Sequence, residues 1–460
     1  MKSIGEFLPS KKRNLKAGRS LSYGIIFVSL FSPFVLFASL VHGQSFNQDQ
    51  ALSLDAAIDL ALKNQPTITA GRYAVRASEA RIGEALSPYY PQLTGSASYS
   101  RVSSASSSSS ASRSSSAAAA ASAAPGSIDV YTASAGVNQL IYDFGKTSTQ
   151  VGINKLNSES ARFDLTNTQE TVVLNVKQAY YNVLQALRNR VVVRQSLNQF
   201  QQHLEQAKGF YEVGTKAKFD VTKAEVDLSN AQVNLINAEN QVRQTYVTLK
   251  NAIGMPNAPD YRLENDLLYA KFELTFDEAI DKAYAQRPDL QSIARKKAAS
   301  RRSVDLARKG YYPTLSGNAN YQYTGTDFPL QDGWNYGLSL SVPIFSGYLT
   351  RYQVAEAQAN YGVVEANEQS LRLDIFSQVQ QAFLSLRAAE ERIRATELGV
   401  RQAKENVELA TGRYDAGVGG PLEVTDAIVA QGNAEAAYTS ALTDYKNAQA
   451  SIEKAVGERR

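Results

Sequence analysis

The chain has 460 residues, of which 43% are hydrophobic and 20% charged, with no cysteine and only two histidines, His42 and His203. The absent thiols exclude disulfides, thiolate metal sites and cysteine nucleophiles, and two imidazoles leave little for histidine-based catalysis. The formal net charge of +4 comes from the first 43 residues, which hold six basic residues against Glu6. The remainder is nearly neutral, so the charge does not indicate a nucleic-acid partner.

The N-terminal segment has the layout of an export signal. A basic stretch, Lys11–Arg19, precedes an apolar run from Leu21 to Val41, and small residues occupy the −3 and −1 positions of a cut before Gln44. This pattern predicts a signal peptide over residues 1–43. The apolar run is long for a signal peptide and contains Pro33, so an uncleaved membrane anchor is the alternative.

The rest of the chain contains an internal repeat, and this repeat decides which fold the chain can adopt. Residues 52–59 return as 274–281 at an offset of 222, whereas Gly-Phe-Tyr211 returns as Gly-Arg-Tyr414 at an offset of 203. The smaller offset locates an insertion in the first copy, and the Ser/Ala-rich run 103–124 is the only segment that fits it.

The repeat defines the expected domains. We predict a first repeat over 44–258, an inter-repeat linker over 259–273 and a second repeat over 274–460. The Ser/Ala-rich run has no pattern able to bury a core and is expected to form a surface loop. The second copy has only the short segment Gly325–Gly333 in its place.

Each copy has the same predicted helices. A helical segment of about 30 residues comes first, at Leu54–Leu86 and at Phe276–Arg308. After the strands comes a proline-free stretch of over 60 residues, 146–208 and 348–410, whose apolar residues recur at spacings of three and four. A glycine-containing turn and a return helix of about 35 residues follow. Stacked end to end, the first and return helices can pack along the long one.

Between the helices, each copy has two segments in which apolar and small polar residues alternate, which is typical of strands with two different faces. The predicted strands are about 92–101, 130–142, 314–324 and 334–345. Their length of about 10 residues matches that of membrane-crossing strands. Four strands cannot close a barrel and an open edge cannot lie in lipid, so the chain must share strands with copies of itself. Two chains would supply 8 strands and three would supply 12, with room for a lumen.

This ordered set resembles the TolC family of outer-membrane efflux ducts over residues 50–460, notably in the Tyr-x-x-Gly turns that begin at Tyr211 and Tyr414 and the acidic-Val steps that begin at Asp220 and Glu423. The resemblance implies an α+β membrane protein: a homotrimer with a 12-stranded outer-membrane β-barrel, four strands per chain, continued by a long periplasmic α-helical barrel. It further implies contact with outer-membrane lipid, a periplasmic adaptor and an inner-membrane pump of the RND or ABC type, with no cofactor.

The resemblance also places a periplasmic gate just past the two helical tips. The matching acidic residues are Asp220, Glu423 and Asp426, and the tip tyrosines Tyr211 and Tyr414 are candidates for contacts that hold the closed state. The alternative for the acids is that they cap the first turn of a helix, where free backbone N–H groups favour negative charge. The alternative for the tyrosines is packing against a neighbouring helix.

The sequence departs from the family pattern in the positive charge of the expected gate. The family often has a basic residue in the second tip turn, where this chain has Gly419-Gly420. Lys216, Lys218 and Lys223 in the first tip could supply the counter-charge, or they could be solvated lysines on an exposed turn.

Two glycines and one histidine complete the candidates at the tips. Gly214 and Gly417 are expected to end the long helices, and their exposure could give an adaptor hairpin close access. His203 is expected on a helix surface. A single histidine makes no metal site, so no metal is expected there.

Two functions follow from these patterns. The first is a passive exit duct energised elsewhere, since the chain has no glycine-rich nucleotide loop and no catalytic cluster, which argues against an enzyme. The alternative is a trimeric structural or adhesive stalk anchored by a barrel. The duplication argues against the stalk, because strands recur in the middle of both halves.

Overall fold

The fold is described from a computed structural model over residues 51–103 and 127–458. The predicted signal peptide and nearly all of the Ser/Ala-rich run lie outside these residues, so both stay predictions.

Within its described residues, the first copy of the repeat contains four α-helices and two strands: α1 Leu54–Asn64, α2 Pro66–Leu86, β1 Gln92–Ser103, β2 Ser127–Tyr142, α3 Lys146–Glu212 and α4 Lys218–Ile253. The second copy has the same order: α5 Phe276–Gln286, α6 Pro288–Arg308, β3 Thr314–Gly325, β4 Gln331–Ser341, α7 Leu349–Asp415 and α8 Pro421–Val456. The long helices have 67 residues each and the return helices 36 each.

The expected single helix at the start of each copy is wrong, because each is two helices. Gln65 and Arg287 have extended backbones, with ψ of 121° and 125°, between helices of 11 and 21 residues. Each of them precedes a proline, whose ring disfavours the helical conformation of the preceding residue. Pro66 and Pro288 then begin the second helix, where a missing N–H costs nothing.

The four strands form one antiparallel sheet in the order β1-β2-β3-β4. Leu93 lies opposite Val137, and Tyr321 lies opposite Trp334. Within the described residues β1 and β4 are the two edges of this sheet. The expected last strand extends too far, since β4 ends at Ser341 before Pro343, which cannot donate to a strand ladder.

Although Val102, Ile128, Val130 and Leu140 lie on the other face, the register places most apolar residues of the four strands on one face, as the alternation predicts. That face carries Leu93, Ala97, Tyr99, Tyr131, Ala135, Val137, Leu315, Ala319, Tyr321, Trp334, Tyr336, Leu338 and Leu340. The opposite face carries Thr94, Ser96, Ser98, Thr132, Ser134, Asn138, Ser316, Asn318, Asn320, Asn335 and Ser339. The large apolar side chains of β4 are exposed, so nothing in residues 51–103 and 127–458 covers this part of the face.

The two largest cores of the helical part lie along the two long helices, one in each copy, and two smaller clusters lie nearer the ends of these helices. Val176, Tyr180 and Val183 of α3 are buried against α1 and α4, and Val379 and Phe383 of α7 are buried against α5 and α8. Each such side chain stabilises the fold by roughly 1.5–3 kcal/mol. The long helix α3 also packs on α6 and α8, which joins the two copies. Among the described helices, none combines the length and the apolar character that a membrane span requires.

Candidate functional site

The two long helices end in turns of the same geometry, which we call the first tip (residues 213–217) and the second tip (residues 416–420). Gly214 and Gly417 both have φ of +75°, and their N–H groups donate to the carbonyls of Tyr211 and Tyr414 at 3.0 Å. This left-handed conformation strains any residue with a side chain, so glycine is needed to end each helix.

Asp220 lies in the first turn of α4 and is buried within one chain. Burial raises the pKa of the Tyr414 hydroxyl, and the charge of Asp220 raises it further. Burial lowers the pKa of the His203 imidazole, and the charge of Asp220 opposes that shift, so the carboxylate acts on both side chains. The single chain therefore holds Asp220 near the contact between α3 and α7, away from open solvent.

Glu423 is exposed and has two partners at the start of α8. Its carboxylate accepts a hydrogen bond from Arg413 Nε at 3.1 Å and another from the Gly420 N–H at 3.4 Å. The bond from Arg413 is the main reason that the pKa of Glu423 lies below its ordinary value. Glu423 thus caps α8 and forms an ion pair, which are compatible roles.

Sequence reasoning missed Arg413 as the positive charge of the second tip. It lies in the last turn of α7, where a cation is favoured by the helix dipole, rather than in the turn itself. Its spacing of ten residues from Glu423, across a turn of five residues, is the signal that could have found it.

Asp426 is one helical turn beyond Glu423 and is also exposed. No hydrogen bond or ion pair involves its side chain within residues 51–103 and 127–458. The two carboxylates therefore form an exposed acidic pair on one side of α8.

The three candidate lysines have three different environments. Lys216 Nζ donates to the carbonyl of Gly419 at 3.3 Å and lies 4.9 Å from the centre of the Tyr414 ring. It therefore joins the first tip to the second within one chain. Lys218, at the start of α4, is exposed.

Lys223 pairs with Asp227, one turn further along α4, at 2.5 Å. Asp227 is buried and also accepts a hydrogen bond from Thr425 of α8 at 2.8 Å. Asp227 was not among the predicted site residues. Its partner Thr425 is 198 positions away, so no local pattern could reveal the contact.

The two tip tyrosines differ sharply. Tyr211 is exposed, whereas Tyr414 is fully buried between His203 and Phe210, with ring centres 4.9 and 5.7 Å away. The expected surface position of His203 is wrong, because 2% of it is exposed. Packing explains the position of Tyr414 within one chain, and the environment of Tyr211 leaves its hydroxyl open to a partner from outside the chain.

The profile of the family described as "Outer membrane efflux protein" matches residues 57–255 and 279–458. These two segments coincide with the two copies of the repeat and together span most of the chain.

Curated relatives and solved structures agree with that match. Outer membrane protein TolC of Vibrio cholerae is 24% identical over 345 residues, which cover 73% of this chain and 78% of the relative. Outer membrane protein TolC of Escherichia coli is 23% identical over 404 residues, covering 82% and 76%. The crystal structure of the Campylobacter jejuni CmeC outer membrane channel has the same fold, with a TM-score of 0.73, 21% identity, and coverage of 88% and 85%.

Proposed function

Because this chain belongs to the outer membrane efflux protein family, we propose that it is the exit duct of a tripartite efflux or type I secretion system and is gated at its helical tips. As a family member it is an outer-membrane protein that serves efflux or secretion, with helices that extend into the periplasm. The family gives no support to the alternative of an adhesive stalk.

The sheet requires further copies of the chain. Its edges β1 and β4 carry backbone groups that must be paired in lipid, and its apolar face needs lipid to cover it. Three chains that pair β4 of one with β1 of the next form a closed 12-stranded barrel with a polar interior. A homotrimer in contact with outer-membrane lipid satisfies both requirements.

The duplication supports the same assembly in the helices. Ala450 of α8 is 4% exposed and lies beside Val173 and Lys177 of α3. Its counterpart in α4, Val247, is 66% exposed in one chain. Since α8 of the second copy packs on α3 of the first, we expect α4 to pack in the same way on α7 of a neighbouring subunit, which would bury Val247.

The exposed acidic pair Glu423 and Asp426 is the observation that carries the gate proposal. Three chains that converge at the second tip bring six exposed carboxylates to one opening, because each chain contributes two. Like charges at such density concentrate cations at the mouth of a pore. Asp220 is buried, so it contributes through Tyr414 and His203 more than through the opening itself. The ion selectivity of reconstituted trimers in planar bilayers tests this assignment, since Glu423→Gln with Asp426→Asn should reduce it.

The tips also suit an adaptor protein. A side chain added at Gly214 or Gly417 would meet no atom within 4 Å, so the turns are open to close approach. Exposed apolar side chains flank them: Val213, Phe219, Val418 and Leu422. We expect these residues to receive a helical hairpin of a periplasmic adaptor, which links the duct to an inner-membrane pump of the RND or ABC type. Val213→Asp and Val418→Asp should weaken cross-linking to the adaptor without loss of the trimer.

A further inference from the structure

His203 is the only histidine after residue 42, and its imidazole is enclosed at the contact between α3 and α7. Neither ring nitrogen has a hydrogen-bond partner within the described part of the chain. The hydroxyl of the adjacent Tyr414 is likewise buried without a partner. Buried polar groups are almost always paired, so two adjacent exceptions require an explanation.

Several charged groups face His203 from the helices packed around it. On α4 these are Asp220, Lys223 and Asp227, and on α7 the exposed Asp415 adds a fourth. Lys223 is already paired with Asp227, which also accepts from Thr425. The imidazole meets the Tyr414 ring at 4.9 Å between ring centres, with no hydrogen bond between the two side chains.

The balance of these effects has a definite sign. Burial is the largest influence and lowers the pKa of His203, although Asp227 and Asp220 act in the opposite direction. If the tips separate and the ring reaches water, its pKa returns to about 6.5. The open form then binds the proton more tightly than the closed form. As pH falls through about 6.5, opening is favoured, by up to about tenfold per pH unit for each chain.

We propose that His203 is an acid-sensitive latch, whose protonation separates α3 from Tyr414 and opens the tips. This inference rests on the tip gate proposed above. The second copy has Asn406 at the position equivalent to His203, offset by 203 residues. Asparagine does not titrate. The acid-sensitive latch is therefore the contact between α3 and α7 within each chain, and the equivalent contact of Asn406 with a neighbouring subunit is not acid-sensitive.

The test is the open probability of reconstituted trimers at pH 7.5, 6.5 and 5.5. The wild type should open more as the pH falls, by several-fold over this range. His203→Asn, which copies the side chain of the second repeat, should remove this dependence while trimers persist. Lys216→Glu at pH 7.5 serves as a gate control, because it breaks the tie to Gly419 and leaves the histidine in the chain.

A second measurement does not depend on conductance. His42 lies in the predicted signal peptide, so if that segment is cleaved, histidine-specific ¹³C labelling reports His203 alone. Its midpoint should lie below 6.5 in the wild type and should rise in Lys216→Glu. If the signal persists uncleaved, His42→Asn isolates the same resonance.

The outcomes separate the latch from the gate. If Lys216→Glu opens the pore and pH does not, the gate stands and the latch is overturned. If neither change opens the pore, both the gate and the latch are overturned. A wild-type midpoint at or above 6.5 also contradicts the latch, whatever the conductance shows.

Discussion

Lys216 and Gly419 occupy equivalent positions in the two copies of the repeat, and within one chain the side chain of Lys216 donates to the carbonyl of Gly419 at 3.3 Å. Within one chain, the first tip meets the second tip through Lys216. At the boundary between two subunits, the duplication would make the second tip of one subunit meet the first tip of its neighbour, with Gly419 in the place of Lys216. Glycine has no side chain to donate, so that boundary lacks the tie. We therefore expect the tips to separate first between subunits.

The tie itself can be tested by charge reversal. Lys216→Glu removes the hydrogen bond to Gly419 and places a negative charge near the Tyr414 ring, so it should raise the open probability of trimers in bilayers. Lys218→Glu is the matched control, because Lys218 is exposed two residues further on. Solvent-exposed pairs contribute only about 0–1 kcal/mol, so its effect should be small. Equal effects of the two reversals would show that the net charge of the tip matters and the specific contact does not.

The ion pair of the second tip should also stabilise the closed state. Arg413→Gln leaves Glu423 without its positively charged partner, so the acidic residues of the tip repel one another more strongly. Openings should therefore become longer in low salt. High salt should reduce this difference, since both side chains are solvent-exposed. A difference that is independent of salt would mean that Arg413 acts through packing. The measurement is open time as a function of ionic strength.

The expected packing of α4 on α7 of a neighbouring subunit, which we call the subunit seam, gives a third prediction. Val247→Lys places a charge at a position that we expect to be buried against α7 of a neighbour, so the fraction of trimer in detergent should fall. Asn230→Lys is the control, since Asn230 and its counterpart Asn433 are both exposed. Sedimentation or light scattering gives the mass. An unchanged fraction of trimer in Val247→Lys would show that Val247 is not buried between subunits.

The break between two helices, which occurs at Gln65 in the first copy and at Arg287 in the second, gives a fourth prediction. Arg287 is buried, pairs with Asp289 at 2.6 Å and donates to the carbonyl of Ala455 at 3.2 Å. Gln65 makes the equivalent contact to Ala252, at 3.0 Å, without any charge.

Arg287→Ala leaves a partly buried carboxylate unpaired and should lower the free energy of unfolding by about 3–5 kcal/mol. Gln65→Ala loses neutral hydrogen bonds and should cost about 0.5–1.5 kcal/mol. Urea unfolding of the detergent-solubilised protein measures both. A larger loss for Gln65→Ala would contradict the assigned role of the buried charge.

Much of the fold can be predicted from the sequence because its patterns are local and occur twice. The alternation along β4 shows which side chains share a face, and the spacing of Val176, Tyr180 and Val183 shows the buried side of α3. The break at Gln65 also has a local signal, since Pro66 disfavours a helical conformation at the residue before it. The helical spacing of apolar residues on both sides of Gln65 hides that signal.

The side-chain contacts at the tips could not be predicted in the same way. Lys216 finds its partner 203 residues away, and the burial of His203 depends on which side of α7 meets α3. Neither the contact of Lys216 nor the burial of His203 produces a recognisable pattern within a single stretch of the sequence. The turns themselves were predictable, because Gly214 and Gly417 alone supply the left-handed backbone that ends each long helix.

The central claim is that the helical tips form the selective gate of an exit duct. The most direct measurement is the reversal potential of reconstituted trimers in a moderate salt gradient, where screening is incomplete. Glu423→Gln with Asp426→Asn should reduce cation preference, whereas Asp281→Asn on α5, an exposed acid far from the tips in sequence, should not. Unchanged reversal potentials in the double variant would mean that these carboxylates only cap α8 and that the gate lies elsewhere.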